Sequence, residues 1–246
     1  MAAEAALLEA FELHDAGGIR RALAAGASPV EPIKGQPPID ALVQMYTRSP
    51  QFAACLRVLL EAGAAIEDQL LQAVLLDDDG AVRRLASGPG AIDRRLSCAS
   101  AYTSCRGVSA LHVCAEFNSV RCAAALLAAG LDVDDRADVD EDGCGTHTPI
   151  FHAVNSNQNY CRPVMELLVE AGASLDVRVA RLMWGAGLDW ETMIFDVTPV
   201  SYAQCGLYRQ FHRREQDIYG NIAFMLRKQT GREPTLRNVP NRYVNA

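Results

Sequence analysis

Apolar residues come in short bursts at helical spacing, each closed by a glycine or a small polar break. The densest stretch runs from Gly107 to Asp134. Leu111, Cys114 and Ala115 share one face of a first helix. Ser109 is placed to cap it, because its hydroxyl accepts from a free first-turn N–H. Asn118-Ser119 interrupts the pattern. Val120, Ala123, Ala124 and Leu127 then stand at i, i+3, i+4 and i+7, which predicts a second helix with one apolar stripe. Gly130 follows, where a helix end favours a left-handed residue. Neither helix is long enough to persist alone in water. Such a pair buries its apolar face only by stacking on similar pairs.

Similar pairs are present. Openings align at Pro37-Pro38-Ile39-Asp40-Ala41-Leu42, Ser109-Ala110-Leu111-His112-Val113-Cys114, Thr148-Pro149-Ile150-Phe151-His152-Ala153 and Thr198-Pro199-Val200-Ser201-Tyr202-Ala203. Closings align at Leu23-Ala24-Ala25-Gly26, Leu60-Glu61-Ala62-Gly63, Leu127-Ala128-Ala129-Gly130 and Val169-Glu170-Ala171-Gly172. The alternation resembles the ankyrin repeat family, with its TPLHxA opening and LLxxGAD close on a period of about 33 residues. The resemblance reaches to about Lys228. It implies an all-α solenoid of about six stacked helix pairs, some degenerate.

The pattern is elaborated between pairs. Arg178 to Val197 holds two β-prone runs around Gly185-Ala186-Gly187 and predicts a β-hairpin inserted before the last repeat. Asp132 to His147 is an enlarged approach to the fifth repeat, and Ile92 to Arg106 reads as a plain long connection. The expected division is a repeat domain at 1–228 and an extended or mobile tail at 229–246, which has no periodicity.

Composition narrows the function. A formal net charge of −7 argues against a nucleic-acid binder, which needs a basic face. The longest apolar run, Cys122 to Leu131, is too short to span a bilayer. The amphipathic start, with Glu4 and Glu9, does not read as a signal peptide. Most of the eight cysteines fall inside helices without a regular framework, which suits reduced thiols in a cytoplasmic protein. Alanine is abundant and Lys34 and Lys228 are the only lysines, a bias that suits a GC-rich bacterial genome.

Candidate chemistry is sparse. Asp138-Val139-Asp140-Glu141-Asp142-Gly143 matches the first half of a calcium loop, but Pro149 stands where the bidentate glutamate belongs. It reads as a solvated acidic finger, with weak calcium binding as the alternative. His112, Cys114, Cys144, His147 and His152 could be soft metal ligands or a thiol–histidine site. They lack paired metal spacing and any nucleophile signature, and His112 occupies the histidine of the TPLH-like motif. No phosphate loop appears. The sequence therefore assigns no catalytic residue, no metal ligand and no cofactor.

Trp184 and Trp190, the only tryptophans, flank the hairpin tip. They read equally as cross-strand packing or as a contact patch. The expected function is a non-catalytic scaffold, acting as a monomer, that recognises one protein through fingers and concave helices, as an inhibitor or immunity-type binder. The expected contacts are Asp138, Asp140, Glu141 and Asp142 on one finger and Met183, Trp184 and Trp190 on the next. The acidic run would steer a basic partner, with plain solubility as the alternative. The competing class is a metal-dependent or thiol enzyme built on the Cys/His cluster.

Overall fold

The computed structural model describes residues 2–88, 90 and 92–232. Its helices come in pairs: α1 (Ala2–Glu12) with α2 (Ala16–Ala24), α3 (Pro38–Val43) with α4 (Phe52–Glu61), and α5 (Gln69–Leu75) with α6 (Asp79–Ala86). Then come α7 (Ala110–Phe117) with α8 (Val120–Ala128), α9 (Ile150–Ala153) with α10 (Arg162–Glu170), and α11 (Pro199–Cys205) with α12 (Glu215–Thr230). Strands β1 (Leu96–Cys98) and β2 (Cys105–Val108) pair before α7, and β3 (Val179–Trp184) and β4 (Thr192–Val197) pair before α11. From α5 onward, first helices stack on first helices (α5, α7, α9, α11) and second on second (α6, α8, α10, α12). None of the described helices is long and apolar enough to cross a membrane.

Four second helices end in the same way. Gly26, Gly63, Gly130 and Gly172 all take positive φ, between 93° and 104°. The next residue in each case donates its N–H back across the helix end, as Leu131 does to Leu126 O at 3.1 Å and Ala173 to Leu168 O at 3.0 Å. This is the Schellman closure, which satisfies carbonyls the helix leaves free. Glycine is needed because a Cβ is strained at that φ.

Helix α7 is the centre of the stack. All of Ala110 to Phe117 is buried, because α5 and α9 cover its two sides and α8 packs beside it. Alanine and cysteine permit that close approach. By contrast, α6 buries only Val82.

The structure corrects the sequence reading at several points. The buried face of α8 is Cys122, Ala123, Ala125 and Leu126; Leu127 is half-buried and Ala124 is exposed. The expected stripe was rotated by about one residue, since alanine runs give periodicity little to grip. The connection Ile92–Arg106 contains a second, unexpected hairpin: β1 and β2 pair with a bulge, Leu96 opposite Val108 and Cys98 opposite Cys105. Three-residue strands are too short to announce themselves by alternation. Helix α12 runs two residues past Lys228 to Thr230. Most of the expected tail, from residue 233, lies outside the described residues.

The stack has one thin joint. Between α3–α4 and α5–α6 a cavity of about 280 Å3 opens, lined by Ile39, Val43, Leu71 and Leu75 among others. Arg48, just after α3, passes over this joint to Glu116 in α7, Nη2 to Oε1 at 2.6 Å.

Candidate functional site

Three fingers lie side by side: the β1–β2 hairpin, the loop at 134–147 and the β3–β4 hairpin. Main-chain bonds join them. Asp138 N donates to Gly107 O at 2.9 Å, and Gly145 N donates to Arg181 O at 3.4 Å. The first and third meet at their tips, where Gly185 N donates to Tyr102 O at 3.0 Å and Thr103 bridges Trp184.

The middle finger carries the acidic run, and its carboxylates have different employments. Asp140 accepts from Asp142 N at 3.0 Å and Cys144 N at 2.8 Å, so its carboxylate holds its own turn. Asp138 pairs with Arg95, 3.3 Å away, and Arg95 also binds Asp135 at 2.8 Å. These oxygens turn to different partners instead of converging on one point, and the acidic run forms no metal-ligand cluster among the described residues. Glu141 and Asp142 are exposed. Arg181 Nη1 donates to Asp142 O at 3.2 Å and ties this finger to β3. Cys144 Sγ lies 3.7 Å from Met193 Sδ in β4.

The third finger places its aromatics unevenly. Trp184 is 2 % exposed and stacks on Phe211 at 3.9 Å between ring centroids, with Tyr102 on it at 5.8 Å. Its packing partners come from the turn after α11 and from the first finger, not from across its own hairpin. Met183 and Trp190 are half-buried. The exposed apolar side chains are ones the sequence reading passed over: Phe195, 62 % exposed on β4, and Val139, 58 % exposed on the acidic finger. Phe195 is the cross-strand partner of Arg181. An apolar residue inside a β-prone run gives no sign of which face it will take until register is fixed.

The Cys/His residues split. His112, His147 and His152 meet, with ring centroids 5.1 to 5.6 Å apart. Cys114 lies apart, buried in α7, and Cys144 belongs to the finger. His112 has a structural duty. Its Nδ1 accepts from Ser109 N at 3.2 Å and contacts Ser109 Oγ at 2.8 Å, and its Nε2 reaches His147 O at 3.0 Å. Burial, then the neighbouring His152, holds its pKa down to about 3. Burial and the other two rings hold His147 well below the ordinary histidine value.

Sequence reading missed the centre of this cluster, Glu116. Its Oε1 takes Arg48 at 2.6 Å and Ser100 Oγ at 3.2 Å, and its Oε2 lies 2.9 Å from His152 Nδ1. Burial opposes its ionisation, yet the Arg48 charge and the His152 bond outweigh it and leave the carboxyl below its usual pKa. Arg48 also lies over the rings of Phe117 at 4.7 Å and Tyr102 at 5.2 Å. These residues come from four separate elements, so no spacing rule could join them.

Cys105, Glu116 and His152 bring one ligand atom each to within 4.8 Å of one another. A metal there would have to break the Glu116–His152 bond and sit beside the Arg48 cation. A hydrogen bond that the Cys105 thiol makes with Cys98, then burial, pushes its pKa well above the usual value, so its thiolate is a minor species at neutral pH. Sγ lies 3.9 Å from His152 Nδ1, which is already bonded to Glu116. The arrangement is a satisfied ion pair more than a poised nucleophile.

Comparison with known proteins falls on the same centre. The family model described as Ankyrin repeat matches residues 106–138, from β2 through α7 and α8 into the acidic finger. Among solved structures, EF0377, titled an ankyrin repeat protein, is similar at 20% identity over 84% of this chain and 94% of its own, with a TM-score of 0.38. No curated protein matches the chain.

Proposed function

From the match of residues 106–138 to the Ankyrin repeat model, we propose a role as a non-catalytic scaffold that binds one protein partner through its braced fingers. Ankyrin repeats generally mediate protein–protein interaction, and this gives the class its support. The observation that carries the surface is the pairing of exposed apolar side chains with free acids. Phe195 and Val139 stand out of fingers joined through Arg181, and Glu141 and Asp142 lie exposed beside them. Exposed apolar anchors with a charged rim are the usual anatomy of a recognition patch. The charge favours a basic partner, and rim carboxylates act chiefly on association rate. Asp138 and Asp140 shape the finger, and Met183, Trp184 and Trp190 lie partly or fully buried on the neighbouring hairpin. An inhibitor or immunity-type role in the cytoplasm, as a single chain, is the finer form of this proposal.

The test starts from a partner captured by the wild-type chain and compares two variants. Phe195→Ser combined with Glu141→Lys and Asp142→Lys should abolish capture and leave the melting temperature within a few degrees. Trp184→Ala should lower the melting temperature and leave the affinity of the folded fraction unchanged. Undiminished affinity in the triple variant would place the binding surface elsewhere.

A further inference from the structure

A cavity of about 360 Å3 lies among the two hairpin tips and the turn after α11, lined by Tyr46, Tyr102, Trp184, Trp190, Phe211 and Arg213 among others. Three buried nitrogens of its lining residues have no hydrogen-bond partner among the described residues: Nε1 of Trp184, Nε1 of Trp190 and Nη2 of Arg213. Each of these groups is a donor and never an acceptor. One orphaned buried donor costs about 1–3 kcal/mol, and three of the eight unpartnered buried side-chain atoms among the described residues belong to this one lining.

Arg213 is held rigidly. Its Nε donates to Asn155 O at 2.5 Å, its Nη1 donates to Phe211 O at 2.5 Å, and its guanidinium lies over Tyr102 at 4.8 Å. These bonds are to neutral groups, and Nη2 is left without a hydrogen-bond partner among the described residues. The walls are flat: Trp184 and Phe211 stack with planes 13° apart, and the Tyr102 ring lies 18° from the plane of Trp184. Donors without acceptors, a fixed cation and parallel rings set the chemistry of a ligand that would fit. It brings acceptor oxygens, a negative charge and a planar apolar body.

We propose that this cavity binds a small aromatic carboxylate, its ring against the Trp184, Phe211 and Tyr102 rings and its carboxylate on Arg213 and the indole N–H groups. The volume is in the range of small-ligand pockets, which are mostly apolar with a few convergent polar groups. Guanidinium groups favour planar carboxylates. The site is separate from the finger surface carrying Phe195, Glu141 and Asp142, and does not depend on it. The same carboxylate chemistry could be offered by the C-terminal aromatic residue of a protein, and the proposal commits to the free small molecule.

Both tryptophans of the chain line the cavity, so their emission reports on it directly. Phenylacetate, phenylacetamide, inorganic phosphate and a tetrapeptide ending in phenylalanine as the free acid should be titrated separately into the full chain. Phenylacetate should give a saturable change, and phenylacetamide should bind at least about tenfold more weakly, about 1.4 kcal/mol. Phosphate should give none. Arg213→Gln should weaken phenylacetate by a similar factor. Because Arg213 also holds two carbonyls, Trp190→Phe serves as the gentler variant: it keeps a ring, removes one N–H and leaves Trp184 as reporter. It should weaken binding several-fold. The proposal is overturned by equal affinity for acid and amide, by no saturable response to phenylacetate, by binding of the peptide acid alone, or by unchanged affinity in Trp190→Phe.

Discussion

The two joints on either side of α5–α6 are built differently. Towards α7–α8, helices stack directly, and α7 is buried along its whole length. Towards α3–α4, the interface is hollowed by a cavity, and the halves are tied by Arg48 reaching Glu116 and by the Tyr102 hydroxyl donating to Tyr46 O. In a repeat stack, stability is the sum of each pair and its interfaces with neighbours. Here one interface is thinned, and Phe52 against Phe117 at 5.0 Å and a polar strut both reach past a repeat to α7. The first joint is made by apolar area and tolerates small changes. The second depends on a few buried groups that must all be satisfied at once.

The largest expected effect breaks the strut. Glu116→Ala leaves Arg48 buried and uncompensated and should cost about 3–5 kcal/mol. It should also separate the halves. Tryptophan emission reports the seam, because Trp184 and Trp190 line a cavity with Tyr46 of the N-terminal half, and circular dichroism reports all helices. In urea the two should coincide for the wild type and diverge for Glu116→Ala, with emission changing first. Coincident curves in the variant would show that the strut does not couple the halves.

Within the tight joint, Leu126→Ala should cost about 3 kcal/mol, and Leu127→Ala under half of that, because only Leu126 is fully buried. Equal losses in denaturant melts would return the buried face of α8 to the stripe read from the sequence.

Acid should weaken both regions. His14, near the α3–α4 end, is held down to about 4 by burial and then Arg48, and His112 to about 3. A histidine whose folded pKa is depressed contributes stability that is complete above its unfolded value, about 6.5, and is lost as pH falls from there towards the folded value. Each should add a slope of up to about 1.4 kcal/mol per pH unit. Glu116 acts in the same direction at lower pH, since its folded pKa is also depressed. Unfolding free energy should therefore be flat between about pH 7 and pH 8 and fall steadily below about pH 6.5. A flat profile down to pH 5 would mean that these rings protonate in the folded state.

The smallest effect is kinetic. Cys98, at the β1–β2 hairpin, is half-buried, whereas the other seven free thiols are buried. A thiol reagent should modify one cysteine quickly under native conditions and all eight in denaturant without prior reduction. Two or more fast thiols would show that the hollow joint opens readily.

How far the sequence could be read follows from range. The glycine stops and openings are local, so Gly26, Gly63, Gly130 and Gly172 marked the helix ends correctly. Ser109 was also legible as the residue before α7, because a cap is read within one turn. Buried polar partners were not. Glu116 looked like an ordinary helix-surface glutamate, and its burial follows from Arg48, 68 residues away in sequence. Trp184 carried two readings, and only Phe211 and Tyr102, from other elements, placed it inside. Phe195 and Val139 went unnoticed because exposure of an apolar residue is a property of register and neighbours.

The bonds that zip the fingers have a consequence for how such a surface changes over generations. They run between main-chain groups, at Asp138 N to Gly107 O and Gly145 N to Arg181 O, so most side-chain replacements leave them intact. The fixed points are the glycines. A Cβ at Gly107 would meet the Asp138 carboxylate at 2.5 Å, and one at Gly145 would meet Asp138 O at 2.1 Å. A lineage that keeps Gly107 and Gly145 is free to rewrite the residues displayed between them. Specificity for a target can then drift through single replacements at positions such as Val139, Glu141 and Phe195, while the frame that presents them is inherited unaltered.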